Sequence, residues 1–252
     1  MENNNRHKPK VNNISINSIN SISKAIEELQ KELIELSEYS LEELSGIIQE
    51  VGFKCTLCGK CCTKEYNNHV FLLTDDLIKA KEKYANMIVP APYFEICDNN
   101  GCFYVSGYAL KVKENGDCVF LENNRCRIYE DRFLICGVYP YMLHREKDEK
   151  GKTEWRQISG LNEHGEYNTE ISDNECKKYA QDTIDYETKF LIQERDFYIC
   201  LLKLFREKNL RPVRKIYDEK MRLFNAGEKI TVFAFNGNSF EENCISKEDY
   251  IS

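Results

Sequence analysis

Apolar residues recur at Ile22, Ile26, Leu29, Leu33 and Leu36, the spacing of one face of a helix. Ser40 and Glu43 have the capping-box spacing, which predicts a second helix over about 41–50 with Gly52 as its stop. Residues 70–73, Val-Phe-Leu-Leu, read as a buried strand. Thr74 with Asp75 and Asp76 predicts a helix start, since a hydroxyl caps free N–H groups and acidic side chains suit the positive end of the dipole. That helix reaches about Tyr84, and Pro90 and Pro92 break the pattern. Residues 93–96 and 103–112 are strand-like around an Asn99-Asn100-Gly101 turn, and 155–159 is strand-like too. Beyond Cys176 the apolar period is helical, with a break between Asn209 and Pro212 and an end near Gly227; a strand over 230–235 follows.

These elements predict an α+β protein: a small cysteine-rich core with short strands, flanked by N-terminal and C-terminal helices. The expected organisation is a disordered polar tail (1–20), N-terminal helices (21–51), a cysteine-cluster metal-binding domain (52–180), C-terminal helices (181–228), and a short strand with a loose tail (229–252). The Glu-rich outer faces of the first two helices and the basic segment 203–222 read as solvated faces, a protein partner being the alternative.

Composition narrows the function. Hydrophobic residues make up 42% of the 252, enough for a core, and the formal net charge is −7. An acidic chain is not expected to bind nucleic acid or an anionic membrane surface. No stretch approaches the ~20 apolar residues of a membrane span, and 1–20 has no apolar secretory core, so a cytoplasmic location is expected. In that compartment disulfides are rare, and the 12 cysteines read as thiols and thiolate ligands.

Four of those thiols, Cys55, Cys58, Cys61 and Cys62, fall in the run CTLCGKCC. The two-residue gaps from Cys55 to Cys58 to Cys61 are those that open a bacterial-type ferredoxin site, where a tight loop turns successive sulfurs inward. The ferredoxin continuation would place cysteine and proline where this chain has Glu65 and Tyr66, so the remaining ligands come from Cys62 or from farther away. Cys118, Cys126, Cys136 and Cys176 are the distant candidates. Eight thiolates suffice for two four-ligand sites, or for one site with thiols to spare. Lys54, Lys60, Lys64, Arg125, Arg127 and Arg132 lie beside them, and positive neighbours lower thiol pKa.

The run CTLCGKCC followed by DCVFLENNRCRIYEDRFLICGVYPY resembles the YkgJ-type cysteine-cluster family, whose domain is described as zinc- or iron-chelating. The resemblance rests on Cys55, Cys58, Gly59, Cys61, Cys62, Cys118, Phe120, Leu121, Cys126, Ile128, Tyr129, Glu130, Arg132, Cys136, Tyr139 and Pro140, and spans roughly 52–180. The chain departs from the family pattern at Phe133, where the family has Pro, and at Gly137, where it commonly has Arg. The first change matters little if that position is only a turn; the second removes a cation. The resemblance implies a metal or cluster site. Its kinship with flagellin lysine N-methylases implies protein-lysine methyl transfer as an alternative activity, although no glycine-rich G-x-G loop follows a strand. Iron–sulfur is the first expectation, on the triple spacing. Zinc, in a structural or interaction module, is the second.

Cys97 and Cys102 flank the predicted turn, as ordinary half-buried thiols or as a facing pair; Cys200 reads as core and Cys244 as inert. His69 and His144 lie near the cysteines in sequence, either as ligands or as surface histidines.

Overall fold

The computed structural model describes residues 18–66, 69–141, 143–147, 153–157 and 163–252. Most of the expected N-terminal tail, the side chain of His144, and part of the 155–159 strand lie outside the described residues.

The helical predictions have clear physical causes in the structure. Helix α1 (Ile19–Ser37) opens on a capping box between Ser18 and Ser21, and buries Ile22, Ala25, Leu29 and Leu36. Helix α2 (Leu41–Val51) is capped by the Ser40 hydroxyl, which accepts the Glu43 N–H at 3.1 Å, and ends at Gly52 in the left-handed region.

Short elements follow. Strand β1 (Phe71–Leu72) leads into helix α3 (Thr74–Tyr84), then come β2 (Ile88–Pro90), β3 (Ile96–Cys97), β4 (Phe103–Val105) and β5 (Tyr108–Leu110). Thr74 does not cap α3. It is the first helical residue, and its N–H and hydroxyl donate to the Gln193 side chain at 2.8 and 3.0 Å. Hairpin β6 (Leu121–Glu122) and β7 (Arg125–Cys126) precedes a short helix α4 (Leu134–Val138) and the hairpin β8 (Leu143–Lys147) and β9 (Thr153–Gln157).

Helix α5 (Asp173–Glu207) starts on a Ser172–Glu175 capping box and is the longest element; α1 and α2 lie along it. Ile22, Leu29, Leu36, Leu44 and Ile48 meet Leu191, Leu201 and Phe205 in one apolar core. Helix α6 (Arg214–Asn225), β10 (Ile230–Phe235) and β11 (Phe240–Ile245) complete the chain. Two sheets form, ordered β1-β5-β2 and β11-β10-β4-β3, with β10 parallel to β4. A second core lies around them, with Leu72, Val89, Ala109, Leu110 and Val232 buried. Gln193 of α5 joins the two regions: besides Thr74 it donates to the Ser106 carbonyl at 3.1 Å.

One expectation changes, and one alternative falls away. The segment after Asn236 is not loose: β11 pairs along its whole length with β10, and Tyr250 beyond it is buried. Its Glu and Asn residues are those of an edge strand with a solvated side. The hairpin is set by Gly237 at φ +98 and by the Asn236 side chain, which accepts the N–H groups of Asn238 and Ser239 at 3.1 and 2.9 Å. Cys97 and Cys102 do not face each other: Cys97 pairs with Phe103, so the two thiols fall on opposite faces of the β3–β4 pair.

Candidate metal centre

The cysteine run is shaped by backbone that few residues tolerate. Leu57 sits at φ +57, and its N–H donates to the Cys55 sulfur at 3.4 Å. Gly59 follows at φ +71, pressed so closely on the β6–β7 turn that a Cβ would stand 2.5 Å from the Asn124 carbonyl oxygen. A single 3₁₀ turn, Lys60–Cys62, then presents two thiols. The Cys62 carbonyl accepts the Cys118 N–H at 2.8 Å, which stitches the first run to the second. Cys126 lies on β7 opposite Leu121. Cys136 lies within α4, whose first N–H groups are served from another element: Asp76 of α3 accepts the Leu134 N–H at 3.1 Å. Burial pushes the Asp76 carboxyl up to about 6.

The result is a convergence of sulfur. The Cys62 thiol shares one recess with Cys61, Cys118, Cys126 and Cys136. It keeps its proton against these neighbours, and donating to them lowers the pKa of Cys61 and Cys118 and brings Cys126 down to about 6. The Arg132 guanidinium favours the Cys126 thiolate further. Cys136 lies beside the same group; burial first, then the charges of Cys118, Cys61 and Cys126, hold its thiol up.

A cleft of about 490 Å³ opens beside this group, and Cys55, Cys58, Cys61, Cys62, Cys126 and Cys136 all line it. Cys118 lies deeper, in an apolar recess with Val70, Leu110, Phe120 and Phe133. The Tyr129 hydroxyl stays protonated, its pKa pushed up to about 12 by burial and then by the nearby Cys55 thiol. Arg132 donates to the Tyr129 carbonyl at 3.0 Å and stacks 4.4 Å from its ring. Among the described residues, no group of three or more His, Cys, Asp or Glu side chains is arranged to hold a metal ion without movement. The sulfurs are gathered but do not yet surround one point. Their chemistry, several thiols with arginine alongside in a part-desolvated cleft, fits a thiolate-bound metal or cluster.

Cys176 is the predicted ligand that the structure does not bring to this group. It lies in the first turn of α5, 1% exposed, on the same buried stripe as Ala180 and Thr183, and does not line the cleft. A helix period that faces the apolar core turns this thiol away. Cys200, half-buried on α5, and exposed Cys244, on β11, are also elsewhere. His69 faces the Leu110 carbonyl at 3.5 Å and stands against Tyr250, away from the cleft.

His164 is the cleft residue that the sequence pattern did not single out. It is 9% exposed, and neither ring nitrogen has a hydrogen-bond partner among the described residues. Its ring lies 5.4 Å from Tyr139, 4.6 Å from Tyr66 and 6.5 Å from Phe53. Burial, reinforced by Lys60, lowers its pKa and favours the neutral imidazole. Gly165 at φ +79 allows the approach, since a Cβ there would stand 2.3 Å from the Phe53 ring. Backbone bonds between Lys54 and Glu166 at 2.8 and 3.0 Å fix the loop to the start of the cysteine run.

The two departures from the family pattern have different settings. Phe133 is more than a turn residue. It is 1% exposed and packs against Phe120 and Tyr84, while its φ of −71 is one a proline also adopts. Gly137 lines the cleft, and a Cβ added there would meet nothing within 4 Å, so the missing side chain leaves open space.

With this geometry in place, comparison with protein families identifies the segment. Residues 54–159 match the family CxxCxxCC, described as "Putative zinc- or iron-chelating domain". The matched segment includes seven of the eight predicted ligands and excludes Cys176 and His164. No curated protein and no solved structure matches the chain. Among the described residues no helix is long and apolar enough to cross a membrane.

Proposed function

We propose that this protein binds metal through its cysteine cluster, and that the bound group is an iron–sulfur cluster held by thiolates. The observation that carries the reading is the meeting of five cysteines, Cys61, Cys62, Cys118, Cys126 and Cys136, around one recess. A cluster takes four thiolates, and the seven cysteines of the cleft and the recess behind it supply them with thiols to spare. The Cys55-x2-Cys58-x2-Cys61 spacing favours iron–sulfur over zinc. Such a cluster supplies one-electron chemistry, whereas an all-thiolate zinc ion supplies a closed structural tie. The chain's own residues do the rest. Arg132 offsets thiolate charge, and Phe120 and Phe133 keep water from the deep side.

Metal and acid-labile sulfide analysis on protein purified without oxygen tests this reading. Iron with matching sulfide and a broad absorption band near ~400 nm is expected. Colourless protein with stoichiometric zinc would replace the cluster by a zinc module, and protein that binds neither would end the metal reading.

A further inference from the structure

His164 comes from a loop beyond the matched family segment, yet its ring stands in the wall of the cleft that the thiols line. A buried imidazole must normally place both ring nitrogens in hydrogen bonds, because burying them without partners costs free energy. Here the surroundings fix the ring without satisfying it. Phe53, Tyr66 and Tyr139 pack around it, Gly165 lets it approach, and the Lys54–Glu166 bonds anchor its loop. A rigidly held, unpartnered imidazole is a group prepared for a ligand that arrives from outside.

The thiols of the same cleft identify the ligand's chemistry. Cys61, Cys62, Cys118, Cys126 and Cys136 line the apolar recess behind the cleft, whereas Cys55 and Cys58 line the cleft alone. Two sulfurs are too few for a closed metal site, and a nitrogen donor is what a Cys-x2-Cys pair commonly gains from a distant segment. We propose that His164 is a nitrogen ligand to metal bound on the Cys55–Cys58 side of the cleft. This inference rests on the metal-binding reading above. Since these side chains do not surround one point as they stand, binding draws the Cys55–Cys58 loop toward the imidazole.

The test loads the full-length protein with zinc alone and reads the metal's neighbours by X-ray absorption. Wild type is expected to show imidazole scattering together with sulfur. His164→Ala is expected to lose the imidazole signal and to bind its most weakly held zinc at least about tenfold less tightly, as Cys58→Ser does. Should His164→Ala fail to fold, a variant with His7, His69 and His144 all changed to Gln leaves His164 as the one histidine. Loaded with ¹¹³Cd and labelled with ¹⁵N-histidine, it should show metal–nitrogen coupling. A sulfur-only site in wild type with unchanged loading in His164→Ala, or no coupling in the ¹¹³Cd protein, overturns this inference and leaves the cysteine cluster standing. Wild type that takes up no metal at all overturns the metal reading, and this inference with it.

Discussion

Two regions of this chain fold by different means. In the helical frame, α1, α2 and α5 repeat apolar residues at helical spacing, start on Ser caps and share one continuous core. In the cysteine region, strands of two or three residues are held by isolated long-range contacts: Gly59 on Asn124, Cys118 on Cys62, Asp76 on Leu134, Thr169 on Gly52. A helix carries its own hydrogen bonds, so it needs only a face to bury. A two-residue strand carries almost none and depends on what it is tied to. The frame therefore folds from local pattern, while the cysteine region needs each tie and, on the reading proposed above, a metal.

The largest expected effect separates the regions directly. Cys126→Ser should abolish most metal binding and lower stability by more than about 3 kcal/mol, because metal-binding free energy is folding free energy where the site is not otherwise held. Hydrogen exchange should then rise over 53–141 before it rises in α5. Cys176→Ala, in the buried stripe of α5, should cost about 1–2 kcal/mol through lost packing and leave metal content unchanged. Equal metal loss in both variants would erase the distinction between them.

Gly59→Ala comes next. The added methyl must enter the Asn124 backbone in a left-handed conformation, at about 2–4 kcal/mol from strain and overpacking together. Metal affinity should fall with it, since the turn delivers Cys61 and Cys62. Denaturant melts with and without metal check this; an unchanged midpoint would show that the loop is less constrained than its contacts require.

The same contrast governs what could be read from sequence. The frame was legible because Ile22, Leu29 and Leu36 declare a helix to anyone who counts residues. Seven candidate ligands were legible for a different reason, the density of thiols between Cys55 and Cys136. Cys176 was grouped with them by residue type, and the facing of α5 decided its place. His164 carried no local signal, because the partners that define it, Phe53, Tyr66 and Tyr139, are far away in the chain. The β11 strand was hidden by Glu241, Glu242 and Asn243, although Asn236-Gly237 between two apolar-bearing runs is a recognised hairpin signal.

Asp76 offers a smaller, pH-dependent test of one tie. Its carboxyl rises from the usual 3.8 to about 6 in the fold, so the folded chain binds this proton more tightly than the unfolded one. Its contribution to stability is therefore fully present below about pH 4 and is lost as pH rises through about 6, by about 3 kcal/mol. Asp76→Asn keeps an acceptor for the Leu134 N–H and has no charge to bury. Its stability at pH 7 should match or exceed wild type, and the pH slope between 4 and 6 that wild type shows relative to it should vanish. Asp76→Ala, which removes the acceptor, should cost about 1–2 kcal/mol at either pH. Urea melts at pH 4.5 and 7 read both effects; parallel pH dependence in wild type and Asp76→Asn would remove Asp76 as its source.

The smallest effect is a reversal of sign between the regions. Leu57, 43% exposed, holds its φ of +57 at about 1–2 kcal/mol of left-handed strain and buries little in return. Glycine adopts that conformation freely, and its extra unfolded-state entropy offsets only about 0.5–1 kcal/mol of the relief. Leu57→Gly should therefore stabilise the metal-free protein by about 0.5 kcal/mol. Ile34, 54% exposed on α1, supplies the control: the same replacement in a regular helix gives up propensity with no strain to release, so Ile34→Gly should destabilise by about 1 kcal/mol. Opposite shifts in thermal midpoint would show that the cysteine run is strained where the frame is relaxed. If both variants lose stability, the Leu57 backbone is not strained in solution, and the cysteine loop follows the same local rules as the helices around it.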